Sequence, residues 1–387
     1  MNKNERTALV SRLKFPEFAI YGAVNFETGD AIFKPISNKN HNSDLPILAI
    51  TQEHGAIPRD KIDYNVSVTD KSLESYKVVE IGDFIISLRS FQGGIEYSLY
   101  HGICSPAYII LRNRLPIVEQ YYKYYFKTSK FIQDLNKDLE GIRDGKMVSY
   151  SQFSAIELPR PDNKEQQKIA DCLSSLDDLI VAENKKLEAL KSHKKGLMQK
   201  LFPAEGKTVP EWRFPEFRNN GEWKMYSIKD IAKITTGNKD TQNKVDDGKY
   251  PFFVRSQTIE KINSFSFDCE AILTSGDGVG VGKNFHYING KFDFHQRVYC
   301  IYDFASTAFC KFIFYYFSEH FYQRVMQLSA KNSVDSVRMS MISEMQLGLP
   351  NIAEQQKIAD CLSSIDALIT EQVKKVDALK THKKTNY

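Results

Sequence analysis

The sequence predicts an α+β protein: two α/β modules in tandem, separated by two long helices that pair as an antiparallel coiled coil with pseudo-twofold symmetry. Three observations predict it. Residues 165–195 recur at 354–384, identical at 22 of 31 positions. Phe15-Pro16-Glu17-Phe18 recurs as Phe214-Pro215-Glu216-Phe217, so the duplicated unit is larger than the helix. Between these landmarks the helical pattern gives way to short β-branched and aromatic runs broken by Gly, Asn and Asp, the mark of strands.

Composition bounds the alternatives. A length of 387 residues allows two to three domains. An apolar content of 42% with 25 Phe and 20 Tyr supports real cores and excludes a disordered chain. A net charge of +4 permits nucleic-acid binding without demanding it. Six cysteines with no CxxC point to a reduced, cytoplasmic protein without a zinc site. Cys172 and Cys361 fall at equivalent repeat positions and read as small packing residues. The chain opens on no signal-peptide pattern, and no apolar run reaches the roughly 18 residues a membrane span requires.

In chain order, residues 1–158 form the first module, with strands expected at 47–50, 78–79, 83–87 and 107–111 and a closing helix over 116–139. The first long helix occupies the segment 159–203. Pro161 leads it in, Asp162 and Glu165 have capping-box spacing, and Pro203 stops it. Residues 204–349 form the second module, with strands at 227–234, 251–254, 271–273 and 298–301 and a helix over 307–328. The segment 350–387 is the second long helix, opened by Pro350, Asn351 and Glu354; it lacks the last apolar turns of the first copy.

Steps of seven define a narrow apolar seam on each helix. The first carries Ile169, Leu173, Leu176, Ile180, Leu187 and Leu190, and the second Ile358, Leu362, Ile365, Ile369, Val376 and Leu379. Charged flanks mean that each helix wants a partner, and the simplest partner is the other copy. Matching the polar breaks predicts that Glu183 faces Lys383, Lys194 faces Gln372 and Leu187 meets Leu379.

These residues resemble the specificity (S) subunit of type I restriction-modification systems. The resemblance rests on Glu165-Gln166-Gln167-Lys168-Ile169-Ala170-Asp171-Cys172-Leu173 and its second copy, Glu354 to Leu362. The lead-ins Leu158-Pro159-Arg160-Pro161 and Leu347-Gly348-Leu349-Pro350 belong to it, as do Val79-Glu80-Ile81-Gly82-Asp83-Phe84-Ile85, Ser105-Pro106-Ala107-Tyr108 and Tyr250-Pro251-Phe252-Phe253-Val254-Arg255-Ser256. The resemblance implies that the modules are target-recognition domains, each reading one half-site of a bipartite double-stranded DNA target. The helices then set the gap: residues 165–202 span roughly 57 Å, comparable with about 17 base pairs. It also implies a non-catalytic subunit that binds no cofactor itself. Two modification (methyltransferase) subunits would bring S-adenosylmethionine, and restriction (translocase/endonuclease) subunits would bring ATP and Mg.

The residues agree with a non-catalytic role. The chain has no Asn-Pro-Pro-Tyr or Asp-Pro-Pro-Tyr methyltransferase tetrapeptide. The stretch from Gly276 to Lys283 lacks the spacing and the Ser or Thr of a phosphate loop. Base-edge readout needs Arg, Lys, Asn and Gln in loops. Lys39, Asn40, Arg89, Ser90, Gln92, Arg143 and Lys146 qualify in the first module. In the second, Arg255, Ser256, Gln257, Lys283, Asn284, His295, Gln296, Arg297 and Lys331 do. The aromatic runs 121–125 and 312–317 could stack bases, but their helical spacing favours core packing. A coiled-coil scaffold with two heads that bind something other than DNA is the competing reading.

Overall fold

The structure is a computed structural model describing residues 15–21, 24–42, 44–62, 73–137, 148–278, 280–329 and 336–385. Its contacts divide the chain into a unit of residues 1–183 with 375–387 and a unit of residues 184–374.

In the first unit, β1 (Asn25–Thr28) leads to β2 (Phe33–Ile36), the hairpin β3 (Leu48–Thr51) and β4 (Gly55–Pro58), then β5 (Lys77–Val79) and β6 (Phe84–Ile86). After these come β7 (Glu96–Tyr97), β8 (Gly102–Cys104), β9 (Ile109–Asn113) and β10 (Glu157–Arg160). The main sheet has the order β2-β9-β6-β7, and β1 pairs antiparallel with β10 to close the module. Helices α1 (Glu119–Tyr125) and α2 (Ser129–Asn136) cover it. Phe33 lies fully buried among the rings of Phe84, Tyr122, Phe126 and Phe153. The aromatic run of α1 is therefore core, as its spacing predicts.

A single helix over 116–139 is corrected to two. Thr128 accepts a hydrogen bond from the amide of Phe131 at 3.1 Å, and this N-cap starts a new helix. Gly94 explains why the chain turns beneath this break: its φ is +78°, and a Cβ there would sit 1.9 Å from the Phe126 carbonyl oxygen.

The second unit repeats this plan with longer strands. β11 (Lys224–Ser227), β12 (Lys233–Thr236), β13 (Tyr250–Phe253) and β14 (Ile259–Ile262) precede the long hairpin β15 (Phe267–Ser275) and β16 (Phe285–Phe294). β17 (Val298–Tyr302) and β18 (Gln346–Leu349) complete the set. The sheet order is β12-β17-β15-β16-β13-β14, whose first four strands correspond to β2-β9-β6-β7 of the first unit. β11 pairs with β18 as β1 pairs with β10. The predicted strand over 227–234 is instead the end of β11, a helical turn at Ile228–Ile231, and the start of β12. Ser227 and Asp230 form a capping box, a Ser-x-x-Asp signal that outweighs the β-branched residues around it.

The long helices are α3 (Asn163–Leu201), preceding α4 (Cys310–Leu328) in the chain, and α5 (Ile352–Thr385). Asn351 caps α5 by accepting from the Glu354 amide at 2.9 Å, and Asp162 accepts from the Lys164 amide at 2.8 Å. The Phe-Pro-Glu-Phe motifs latch onto the first turns. Lys168 lies over the Phe15 ring and 3.3 Å from Glu17, and Lys357 lies over the Phe214 ring and 3.3 Å from Glu216.

Every residue of the two seams is buried or half-buried, while Cys172, expected to pack, is exposed. The pairing is antiparallel, but its register differs from the predicted one. In the first unit Glu183 pairs with Lys375, and Lys383 pairs with Asp177. In the second unit Lys194 pairs with Asp366, not Gln372. Charge matching along the helices alone misses this, because the aspartates are also held by tyrosines of the globular modules: Tyr124 on Asp177 and Tyr315 on Asp366.

Candidate nucleic-acid interface

Sheet topology decides which loops meet. In the second unit β13 runs parallel to β16, so both strands deliver their C-terminal residues to one place. β15 and β17 pair antiparallel, with Ser275 opposite Val298, which brings the end of β15 to the start of β17. Residues 254–258, 276–278 with 280–284, and 295–297 consequently touch. The amide of Gly276 donates to the Arg297 carbonyl at 2.8 Å, and that of His295 to the Phe253 carbonyl at 2.9 Å.

Eight of the residues singled out from the sequence collect here. Arg255, Gln257, Lys283, Gln296 and Arg297 are exposed, and Ser256 is half-buried. Asn284 and His295 are buried and shape the loops instead of facing outward. Asn284 donates to the Ser275 hydroxyl at 3.2 Å and to the Arg255 carbonyl at 3.4 Å. Gly280, with φ of +80° and only 3.0 Å between the place of a Cβ and the Asn284 Oδ1, lets the loop close over that amide. The Gln257 amide donates to the Lys283 carbonyl at 3.0 Å, and Lys283 lies 4.4 Å over the Tyr322 ring. Gln296 donates to Asp240 at 3.1 Å.

Asp277 is the centre that sequence reasoning missed. Arg255 Nη1 donates to its Oδ1 at 2.9 Å, and Arg297 Nη1 donates to its Oδ2. Burial alone would raise this carboxyl, but the Arg297 and Arg255 hydrogen bonds hold it below the usual carboxylate range. His295 is pushed below the ordinary imidazole value, first by burial and then by the charge of Arg255. The site therefore presents arginine and lysine heads around a neutral histidine. The available signal was an acidic residue inside a glycine-rich loop between arginine-bearing segments, but only the strand pairing shows that the three meet.

In the first unit the corresponding loop follows β6. Arg89 and Gln92 are exposed there. Ser90 is buried, its hydroxyl accepting from the Ser87 amide at 2.9 Å. Gln52, from the β3–β4 hairpin, donates to the Arg89 carbonyl at 3.4 Å, so this hairpin joins the site without having been singled out. Lys39 and Asn40 are exposed in the loop after β2, where the neighbouring His41 bonds the Tyr76 carbonyl at 3.1 Å; β2 and β6 both pair antiparallel with β9, so this loop and the loop after β6 leave the same end of the sheet. Arg143, Lys146 and Lys331 lie outside the described residues. No group of three or more potential metal ligands occurs among the described residues, and no described helix is long and apolar enough to cross a membrane.

Comparison with known proteins gives this arrangement a context. A family model described as the type I restriction modification DNA specificity domain matches residues 15–192 and again 220–380. The specificity subunit of type I restriction enzyme MjaVIII from Methanocaldococcus jannaschii is 26% identical over 348 residues, covering 82% of this chain and 79% of that protein. The EcoDI specificity subunit of Escherichia coli is 27% identical over 148 residues, which is 38% of this chain and 32% of that relative's length. The solved S subunit of a type I restriction-modification system from M. genitalium shares the fold, with a TM-score of 0.61 at 14% identity over 94% of this chain and 95% of that one.

Proposed function

Since the chain belongs to the type I restriction modification DNA specificity domain family, we propose that it reads a bipartite sequence in double-stranded DNA for a restriction-modification complex. Each module, residues 1–158 and 204–349, reads one half-site, and the helices α3 and α5 fix the gap. The observation that carries this reading is the duplicated loop position. The loop after β6 and the loop after β15 occupy the same place in the shared strand order, yet carry different polar residues. One frame with two different polar surfaces suits two half-sites of different sequence. Base edges in the major groove are told apart by such donors, while further Lys and Arg contacts to phosphates supply affinity.

The chain itself performs no catalysis in this reading. It docks modification subunits that supply S-adenosylmethionine chemistry on adenine and restriction subunits that use ATP and Mg, all in the cytoplasm.

The test is co-expression with the cognate modification subunit, followed by mapping of N6-methyladenine across host DNA. A split motif with a constant gap, absent when either protein is omitted, is the expected result. A stable complex that places no new methyl groups would favour the scaffold with heads for another ligand.

A further inference from the structure

Asp277 is used in a way that points to a particular base. Arg255 and Arg297 each donate one nitrogen, Nη1, to it. Among the described residues the Nε and Nη2 of both arginines have no hydrogen-bond partner, and both side chains are exposed, Arg297 the more so. Nε–H and Nη2–H together make one edge of a planar fork, matched to two acceptors side by side. In the major groove guanine alone presents two adjacent acceptors, N7 and O6; adenine pairs an acceptor with a donor, and cytosine offers a donor. Two arginines brought this close would repel each other without the carboxylate between them. Shared by both, Asp277 removes part of that repulsion and fixes each fork before any ligand arrives, which lowers the ordering cost of binding.

We propose that the half-site read by the second module contains guanine, taken by the outward fork edges of Arg255 and Arg297, with Asp277 as the positioning residue. This rests on the DNA-reading function proposed above and adds the base. Two guanidiniums tied to opposite oxygens of one carboxylate stand within about two base-pair steps, roughly 7 Å, of one another. The pair therefore addresses neighbouring steps.

The experiment maps adenine methylation by the complex of the full chain with its modification subunit, for the native sequence and for Asp277→Asn, Arg255→Ala and Arg297→Ala. The first module is unchanged in all of them, so its half-site reports that each variant folds and assembles. Arg297 is exposed enough that its alanine variant tests the proposal even if Asp277→Asn impairs folding. The expected result is a split motif in which one half-site stays intact. The other contains guanine, and methylation at sites lacking it rises roughly tenfold to a hundredfold relative to intact sites. A structural role for Asp277 alone would lower all methylation without relaxing one position. Split motifs with no guanine on either strand of the second half-site, or the same guanine positions required in both alanine variants as in the native sequence, would overturn the proposal and leave DNA reading standing. Absence of any split motif would overturn both.

Discussion

Lys194 Nζ lies 2.6 Å from Asp366 Oδ1 and 5.2 Å from the centre of the Tyr315 ring, whose hydroxyl donates to the other oxygen of Asp366 at 2.8 Å. The first unit builds the same cluster from Lys383, Asp177 and Tyr124, with the tyrosine hydroxyl 3.0 Å from the carboxylate. Asp177 and Asp366 are one repeat position, and Lys194 and Lys383 another. Each repeat thus gives its aspartate to the tyrosine of its own module and its lysine to the opposite helix. Two residues used twice fix the helix register.

Asp366→Ala removes an ion pair and the acceptor of the tyrosine hydroxyl. The pair is partly exposed, so it contributes about 0.5–1 kcal/mol. The hydrogen bond to a charged group contributes about 1.5 kcal/mol or more. A loss of about 2 kcal/mol in urea unfolding is expected. The charge swap Lys194→Asp with Asp366→Lys restores the ion pair but not the tyrosine bond, so it recovers less than half of that loss.

Arg213 and Glu354 form a fork of two 2.7 Å hydrogen bonds, with side chains only 7% and 1% exposed. Arg213 also donates to the Gly221 carbonyl at 3.0 Å, tying the segment before β11 to the first turn of α5. Truncating one partner strands the other charge in the interior. Arg213→Ala is expected to destabilise the protein by about 3–5 kcal/mol, measured by denaturant unfolding. Arg213→Lys keeps the charge but loses the fork, so an intermediate loss is expected.

What could be read from the sequence follows the range of each interaction. Heptads, proline lead-ins and aromatic spacing are local, and they mark the two long helices and the cores around Tyr122 and Phe312, but not the Thr128 N-cap that splits the helix over 116–139 or the helical turn at Ile228–Ile231. The register was not local: Asp177 and Asp366 answer to tyrosines some 50 positions away in the chain, which no pattern along the helix reveals. The site divides in the same way. Its polar loops stand out as loops, but Arg255, Asp277 and Arg297 meet only because β13 lies parallel to β16 and β15 pairs with β17. Gln52 joins Arg89 through a hairpin for the same reason.

Phosphate contacts and base contacts separate by salt. Lys283 is exposed and steadied over Tyr322 without facing another charge in the cluster, which suits a phosphate contact. Lys283→Ala is expected to weaken DNA binding equally for all sequences and to reduce the slope of log affinity against log salt by about 0.9, measured by fluorescence anisotropy between about 50 and 200 mM salt. Arg89→Ala, in the exposed loop after β6, is expected instead to change base preference in the first half-site.

Acid should weaken the second unit in particular. His286, His295 and His320 lie in it, and burial pushes all three below the ordinary imidazole value. His286 bonds the Ser256 carbonyl at 2.9 Å and lies against the Phe253 ring, and among the described residues no charged group acts on it. His295 sits among Arg255 and Arg297, which oppose its protonation, and Asp240 and Asp277, which favour it. Among the described residues His320 Nε2 is buried without a hydrogen-bond partner, and Glu205 is the one charge acting on it. A histidine depressed in the folded state binds its proton in the unfolded chain first. Stability is therefore full above the unfolded value of about 6.5 and declines as pH falls below it. The thermal midpoint is expected to drop between about pH 7.5 and 5.5, and His320→Gln should flatten that drop because the added proton has no acceptor in the native packing. A midpoint that is level across this range, or an unchanged slope in the variant, would show that these rings are relieved by local opening before they charge.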